Sequence, residues 1–315
     1  MISKASAPGK VILFGEHFVV YGIKAILCAI DKRVTVAAEK IPENKIIIKS
    51  NIGELEVSLN KSMNEISSPL KPFVYLANKM IKKYNQSEGI KIYVKSEIPS
   101  GVGLGSSSAC CVAGAAAISK LFEKTSKEKI LELAIEAERT IFQNTSGADC
   151  TVCTFGGLME YDKEKGFSQI KSEPNFHLVI ANSNIEHSTE VVVSNVKQFK
   201  EKNEEKFSIM CQKELELVNR VKIMLKNNDL QGLGKCMKDN QKFLEIIGIS
   251  NEKLRKMIEK AENSSFGAKI TGAGGGGCII ALSDESNLEK IISELKMNDY
   301  ECFSVKIDFK GLDTF

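Results

Sequence analysis

The chain has 315 residues, 43% apolar and 26% charged, and its 43 basic and 40 acidic residues leave a formal charge of +3. This is an ordinary composition for a soluble globular protein with room for one large core or two smaller ones, and the scattered lysines argue against a nucleic-acid partner. Nine cysteines without small-scaffold spacing argue against a disulfide framework and for a reducing compartment, and no apolar run reaches the length of a membrane span.

The opening MISKASAPGK lacks an apolar signal core, so a cytoplasmic location is expected. Short β-branched runs then predict strands at 10–14, 25–30, 33–39, 45–49 and 54–59. In SPLKPFVYLANKMIKKYN the period changes, and Leu70, Phe73, Ala77, Met80, Ile81 and Tyr84 fall on one helical face. Alternation returns at GIKIYVKSEI. A glycine loop and a small-residue helix from about 106 to 122 follow, the alanines implying close packing. KEKILELAIEAERTIFQ is a second helix, and NTSGADCTVCTFGGLMEYD reads as a loop leading to a hairpin, with the SGAD turn just before a strand. FHLVIAN is a strand, amphipathic helices occupy about 188–263, and GAKITGAGGGGCIIAL is strand, glycine turn, strand. A helix at ESNLEKIISELK and a strand at YECFSVKIDF close the chain. No repeat or low-complexity linker interrupts it. The expected class is α+β in two lobes, divided near 160–185 and assigned to 1–170 and 171–315.

Three segments stand apart. IPSGVGLGSSS cannot be a Walker A loop, because no lysine follows its glycines, nor a Rossmann fingerprint, because Glu123 at the required offset follows no strand. It keeps the physics of an anion site: a strand, a tight glycine turn, then a helix whose free N–H groups favour phosphate. KITGAGGGGC has six consecutive glycine or alanine residues from Gly272 to Gly277, more than a structural turn requires given their entropic cost on folding. SAPGKVILFGEHFVVYG sets Lys10 between Gly9 and an apolar strand.

Together, APGKVILFGEH, PSGVGLGSSS and KITGAGGGGC resemble the three motifs of the GHMP kinases, in order and at matching spacing. The resemblance extends through ERTIFQNTSGADCTVCTFGG and covers essentially the whole chain. GEHFVVYG is most similar to the mevalonate-phosphorylating branch; galactokinases share Gly-Glu-His but follow it with a more polar stretch. The resemblance implies a ribosomal-S5-like N-terminal lobe with a left-handed crossover and a ferredoxin-like C-terminal lobe. It implies transfer from ATP, with Mg²⁺, to the 5-hydroxyl of mevalonate on the route to isoprenoids. Phosphomevalonate kinase, mevalonate 3-kinase and decarboxylase relatives are the alternatives within the family; a non-catalytic nucleotide-binding module and a zinc hydrolase using Cys150 and Cys153 are those outside it. No membrane or nucleic-acid partner is implied, and a homodimer is left open.

The site residues implied by the resemblance are these. Asp149 takes the hydroxyl proton and Lys10 lies beside it, where an ammonium stabilises the carboxylate and the developing alkoxide. Pro99, Gly101, Gly103, Leu104, Gly105, Ser106, Ser107 and Ser108 cradle the phosphates. Ser107 and Glu138 hold the metal through hard oxygens, with Glu136 competing if the register slips. Glu16, His17, Ser188, Thr189 and Gly274 face the substrate. Three departures from the pattern stand out: Glu186 and His187 where a basic residue is usual before Ser-Thr, Ser108 for alanine, and Cys150 for asparagine.

Overall fold

The computed structural model describes residues 2–99, 101–186 and 188–315; His187 lies outside them. Strand β1 (Ile2–Phe14) pairs along its length with β2 (Ala25–Ile41). The two predicted strands at 25–30 and 33–39 are therefore one. The register jumps between Pro8 and Gly9, opposite Ile30 and Arg33, so Asp31 and Lys32 are accommodated as a bulge and the ladder continues. The hairpin β3 (Lys45–Ser50) and β4 (Gly53–Ser58), helix α1 (Lys71–Lys83) and β5 (Gly89–Ser96) follow, with β3 and β5 parallel.

Helix α2 (Ser106–Ser119) lies against β1, β2 and α1. Its small residues do permit close approach: a Cβ on Gly114 would sit 2.7 Å from the Phe73 ring of α1. Helix α3 (Lys127–Glu138) comes next. Helix α4 (Ala148–Phe155) occupies the segment expected to be a loop before a strand. Its eight residues carry too little helical period to be read locally; burial of Cys150, Val152 and Cys153 against α2, α3 and β1 decides its form. The hairpin β6 (Leu158–Asp162) and β7 (Gly166–Ile170) joins the sheet beside β2.

The second sheet begins with β8 (His177–Asn182). Four helices follow: α5 (Thr189–Lys202), α6 (Glu204–Asn227), α7 (Leu230–Ile246) and α8 (Glu252–Glu262). Strands β9 (Gly267–Ile270) and β10 (Cys278–Ser283), helix α9 (Leu288–Met297) and β11 (Glu301–Lys306) complete it in the order β11-β8-β10-β9. A short β12 (Asp313–Thr314) returns to pair with β1. Leu178, Ile180 and Ile280 pack into the core of the first sheet, while Val179, Ala181 and Ile279 pack against the second lobe's helices. The period-two alternation of one buried sheet thus joins the lobes, and the site lies where they meet.

Candidate active site

A cleft of about 980 Å³ opens between the lobes, bordered by all eight predicted phosphate-loop residues. The first backbone bond of α2 runs from Ala109 N–H to the Gly105 carbonyl, 2.9 Å. The N–H groups of Ser106, Ser107 and Ser108 therefore precede the helical ladder, and the helix dipole makes this mouth attractive to anions. Gly105 adopts φ 75°, and a Cβ there would come within 2.8 Å of Lys10 Cγ. The loop is fixed to β1 by Lys10 N–H donating to the Leu104 carbonyl, 2.9 Å. Glycine is thus needed so that loop and lysine can share the floor of the cleft.

Lys10 Nζ lies 3.0 Å from Asp149 Oδ2. Asp149 sits in the first turn of α4, aimed by the left-handed Gly147 that caps it. The lysine side chain is only 6% exposed and the aspartate 34%, so the ammonium is held inside while the carboxylate is open to a ligand.

Glu138, the last residue of α3, is 3% exposed and borders the same cleft. Its two oxygens accept from the hydroxyls of Ser108 and Thr145. Glu136 points elsewhere, pairing with Lys79 and accepting from the Tyr75 hydroxyl at 3.1 Å. Ser107 is exposed at the helix mouth. A carboxylate and a hydroxyl bordering a site for phosphates form a hard-oxygen set that fits magnesium.

The residues expected to face the substrate divide between the cleft wall and its supports. Glu16 borders the cleft, but its carboxylate is buried and receives the Lys269 ammonium. His17, at φ 62°, donates its Nε2–H to the Ala273 carbonyl, 2.7 Å. Burial lowers its pKa, and the residue bridges the first and third motifs while bordering the cleft. Gly274 does not border the cleft; it adopts φ 73° and packs on Ile249, whose carbonyl a Cβ would meet at 2.6 Å. Gly272 and Ala273 line the cleft instead. Thr189 lines it as expected, whereas Ser188 caps α5 by accepting from Val191 N–H, 3.4 Å. Cys150 and Cys153 are buried in α4, and burial holds both thiols far from ionisation.

Comparison with known proteins bears on the family and the fold. The family described as GHMP kinases N terminal domain matches residues 72–157, and GHMP kinases C terminal matches 221–300. A galactokinase galactose-binding signature matches residues 4–40. The mevalonate kinase of Pyrococcus furiosus is 36% identical, with 90% of each chain aligned. The chain belongs to the GHMP kinase family. Among solved structures, the mevalonate kinase of Methanococcus jannaschii superposes with a TM-score of 0.86 at 29% identity, covering 98% of both chains. That of L. major, solved with R-mevalonate, gives 0.84 at 25% identity, covering 97% and 96%. The architecture is accordingly the two-lobed α+β GHMP kinase fold, and the family implies the use of ATP.

This GHMP kinase also carries a buried polar network that sequence reading missed. Gly15 N–H donates to Glu214 Oε1 at 3.1 Å, and Asn240 Nδ2–H donates to the same oxygen at 2.8 Å. Glu214 follows Phe207 and Met210 and precedes Leu217 and Val221 on the buried stripe of α6, so an acid on an apolar helical face was the available signal. Burial, with Glu16 nearby, raises its pKa to about 7. A carboxyl raised on folding binds a proton that the unfolded chain releases. Its stabilising effect is complete below pH 4.5 and lost as pH rises through about 7, a change of about 3 kcal/mol. Glu214→Gln is expected to flatten the dependence of the urea midpoint on pH between 5 and 8.

Proposed function

We propose that this GHMP kinase transfers the terminal phosphoryl group of ATP to the 5-hydroxyl of (R)-mevalonate, giving 5-phosphomevalonate for isoprenoid lipid synthesis. The observation that carries the chemistry is the Lys10–Asp149 contact at 3.0 Å beside the mouth of α2. Asp149 accepts the hydroxyl proton as the oxygen attacks phosphorus, the bond to the ADP oxygen breaks, and Lys10 stabilises the charge that develops. The backbone N–H groups of 106–108 would hold the phosphates, and Ser107 and Glu138 would hold magnesium. When bound, the cation offsets the negative charge of the phosphates during transfer.

Substrate choice follows from the cleft wall and the relatives. The galactokinase signature covers the shared Gly15-Glu16-His17 segment, but Phe18 then turns into the second core while Val19 and Val20 border the cleft with Val193. An apolar wall beside a polar floor suits a branched hydroxy acid with a methyl group better than a sugar. All nine cysteines are unpaired, which fits the reducing cytoplasm.

The test is ADP release from pure protein, ATP and Mg²⁺ with a panel of mevalonate, 5-phosphomevalonate, galactose and homoserine. Turnover is expected with mevalonate, and the product should carry phosphate on O5. A clear preference for another alcohol, or phosphate on O3, would overturn the assignment.

A further inference from the structure

We infer that Ser108 is a positioning residue that holds Glu138 in the orientation needed by the cation accompanying the nucleotide. The inference rests on the reading of Glu138 as a cation ligand. Ser108 is the third residue of α2 and 3% exposed, and its hydroxyl donates to Glu138 Oε1. Thr145, from the loop before α4, donates to Oε2 at 2.5 Å. The Thr145 oxygen itself accepts from Gly147 N–H at 3.2 Å, which leaves its hydrogen directed at the glutamate.

Glu138 ends its helix, where a long side chain has several torsions and would otherwise sample several orientations. Two hydroxyls from different elements, one on each oxygen, remove that freedom. A carboxylate has about four lone-pair sites, so two remain for a hard cation. Ser108 is also joined to the phosphate-binding mouth through its own backbone. The hydroxyl therefore sets the distance between the carboxylate and the bound phosphates. The departure from alanine at 108 has a definite consequence: it supplies half of the clamp on Glu138.

The experiment measures Mn²⁺ binding to the protein with a non-hydrolysable ATP analogue, counting free Mn²⁺ by electron paramagnetic resonance. Ser108→Ala removes one oxygen without adding bulk. It is expected to weaken Mn²⁺ binding by about 10-fold or more and, because a buried Glu138 oxygen loses its donor, to lower the urea midpoint as well. Ser108→Cys, a weaker donor of similar size, should fall between. If Ser108→Ala binds Mn²⁺ like the parent while Glu138→Gln does not, the positioning role is wrong and the ligand assignment stands. If Glu138→Gln also binds normally, the ligand assignment fails and the inference goes with it. If Ser108→Cys, which keeps the bulk, binds Mn²⁺ no better than Ser108→Ala, the donated hydrogen bond is not what matters and the inference is overturned.

Discussion

Asp149→Asn is expected to lower kcat by about 10²- to 10⁴-fold, the range for loss of a general base. The substitution is nearly isosteric, and its amide oxygen can still accept from Lys10, so the cleft should keep its shape. What it loses is the capacity to accept the hydroxyl proton. Because the proposed phosphate site is the mouth of α2 rather than α4, KM for ATP should change little. The urea midpoint should fall only modestly, since Asp149 is one-third exposed and the asparagine oxygen still accepts from the buried Lys10 ammonium. Single-turnover phosphorylation of mevalonate, set beside the unfolding curve, separates the two effects. Turnover within tenfold of the parent would show that another group takes the proton.

Lys269→Met should cost about 3–5 kcal/mol of stability, the usual penalty for removing one partner of a buried ion pair. Lys269 is fully buried in β9 and donates to Glu16 and to the Ile270 carbonyl, 2.6 Å. Burial raises the pKa of Glu16 and lowers that of Lys269, each partly restored by the other. Without the ammonium, Glu16 would keep its charge beside a second acid, Glu214, or take up a proton. Either course strains the turn that carries Gly15 and His17, and the contact of His17 with Ala273 should loosen with it. Adding Glu16→Gln to Lys269→Met removes the orphaned charge and should recover much of the loss, because a buried pair replaced as a unit is often close to neutral. Urea unfolding of both variants near pH 7 measures this. A single variant that loses less than 1 kcal/mol would mean that the pair contributes little to joining the lobes.

The sequence shows which groups are present but not which ones partner each other. Glu16 was legible as a motif residue, yet its partner lies 253 positions away on another lobe. His17 was expected to face the substrate; it borders the cleft and also donates to Ala273 in the second glycine loop. Glu138 was expected as the metal ligand, with Glu136 competing if the register slipped. Two residues on a helix are about 200° apart, so α3 turns one toward Lys79 and the other into the cleft. Helix α4 had no local signal strong enough to announce it.

The order of amino acids alone determined the three glycine-bearing segments, the strand–turn–helix of the phosphate loop and the amphipathic helices of the second lobe. These depend on backbone conformations that only certain residues adopt and on periodicities visible within a few turns. Tertiary structure decided that Lys10 meets Asp149, that Ser108 and Thr145 grip Glu138, and that Glu16 belongs to Lys269. Burial brings those groups out of water, where a charge or donor without a partner is costly, so packing between distant segments, rather than local propensity, selects each pair.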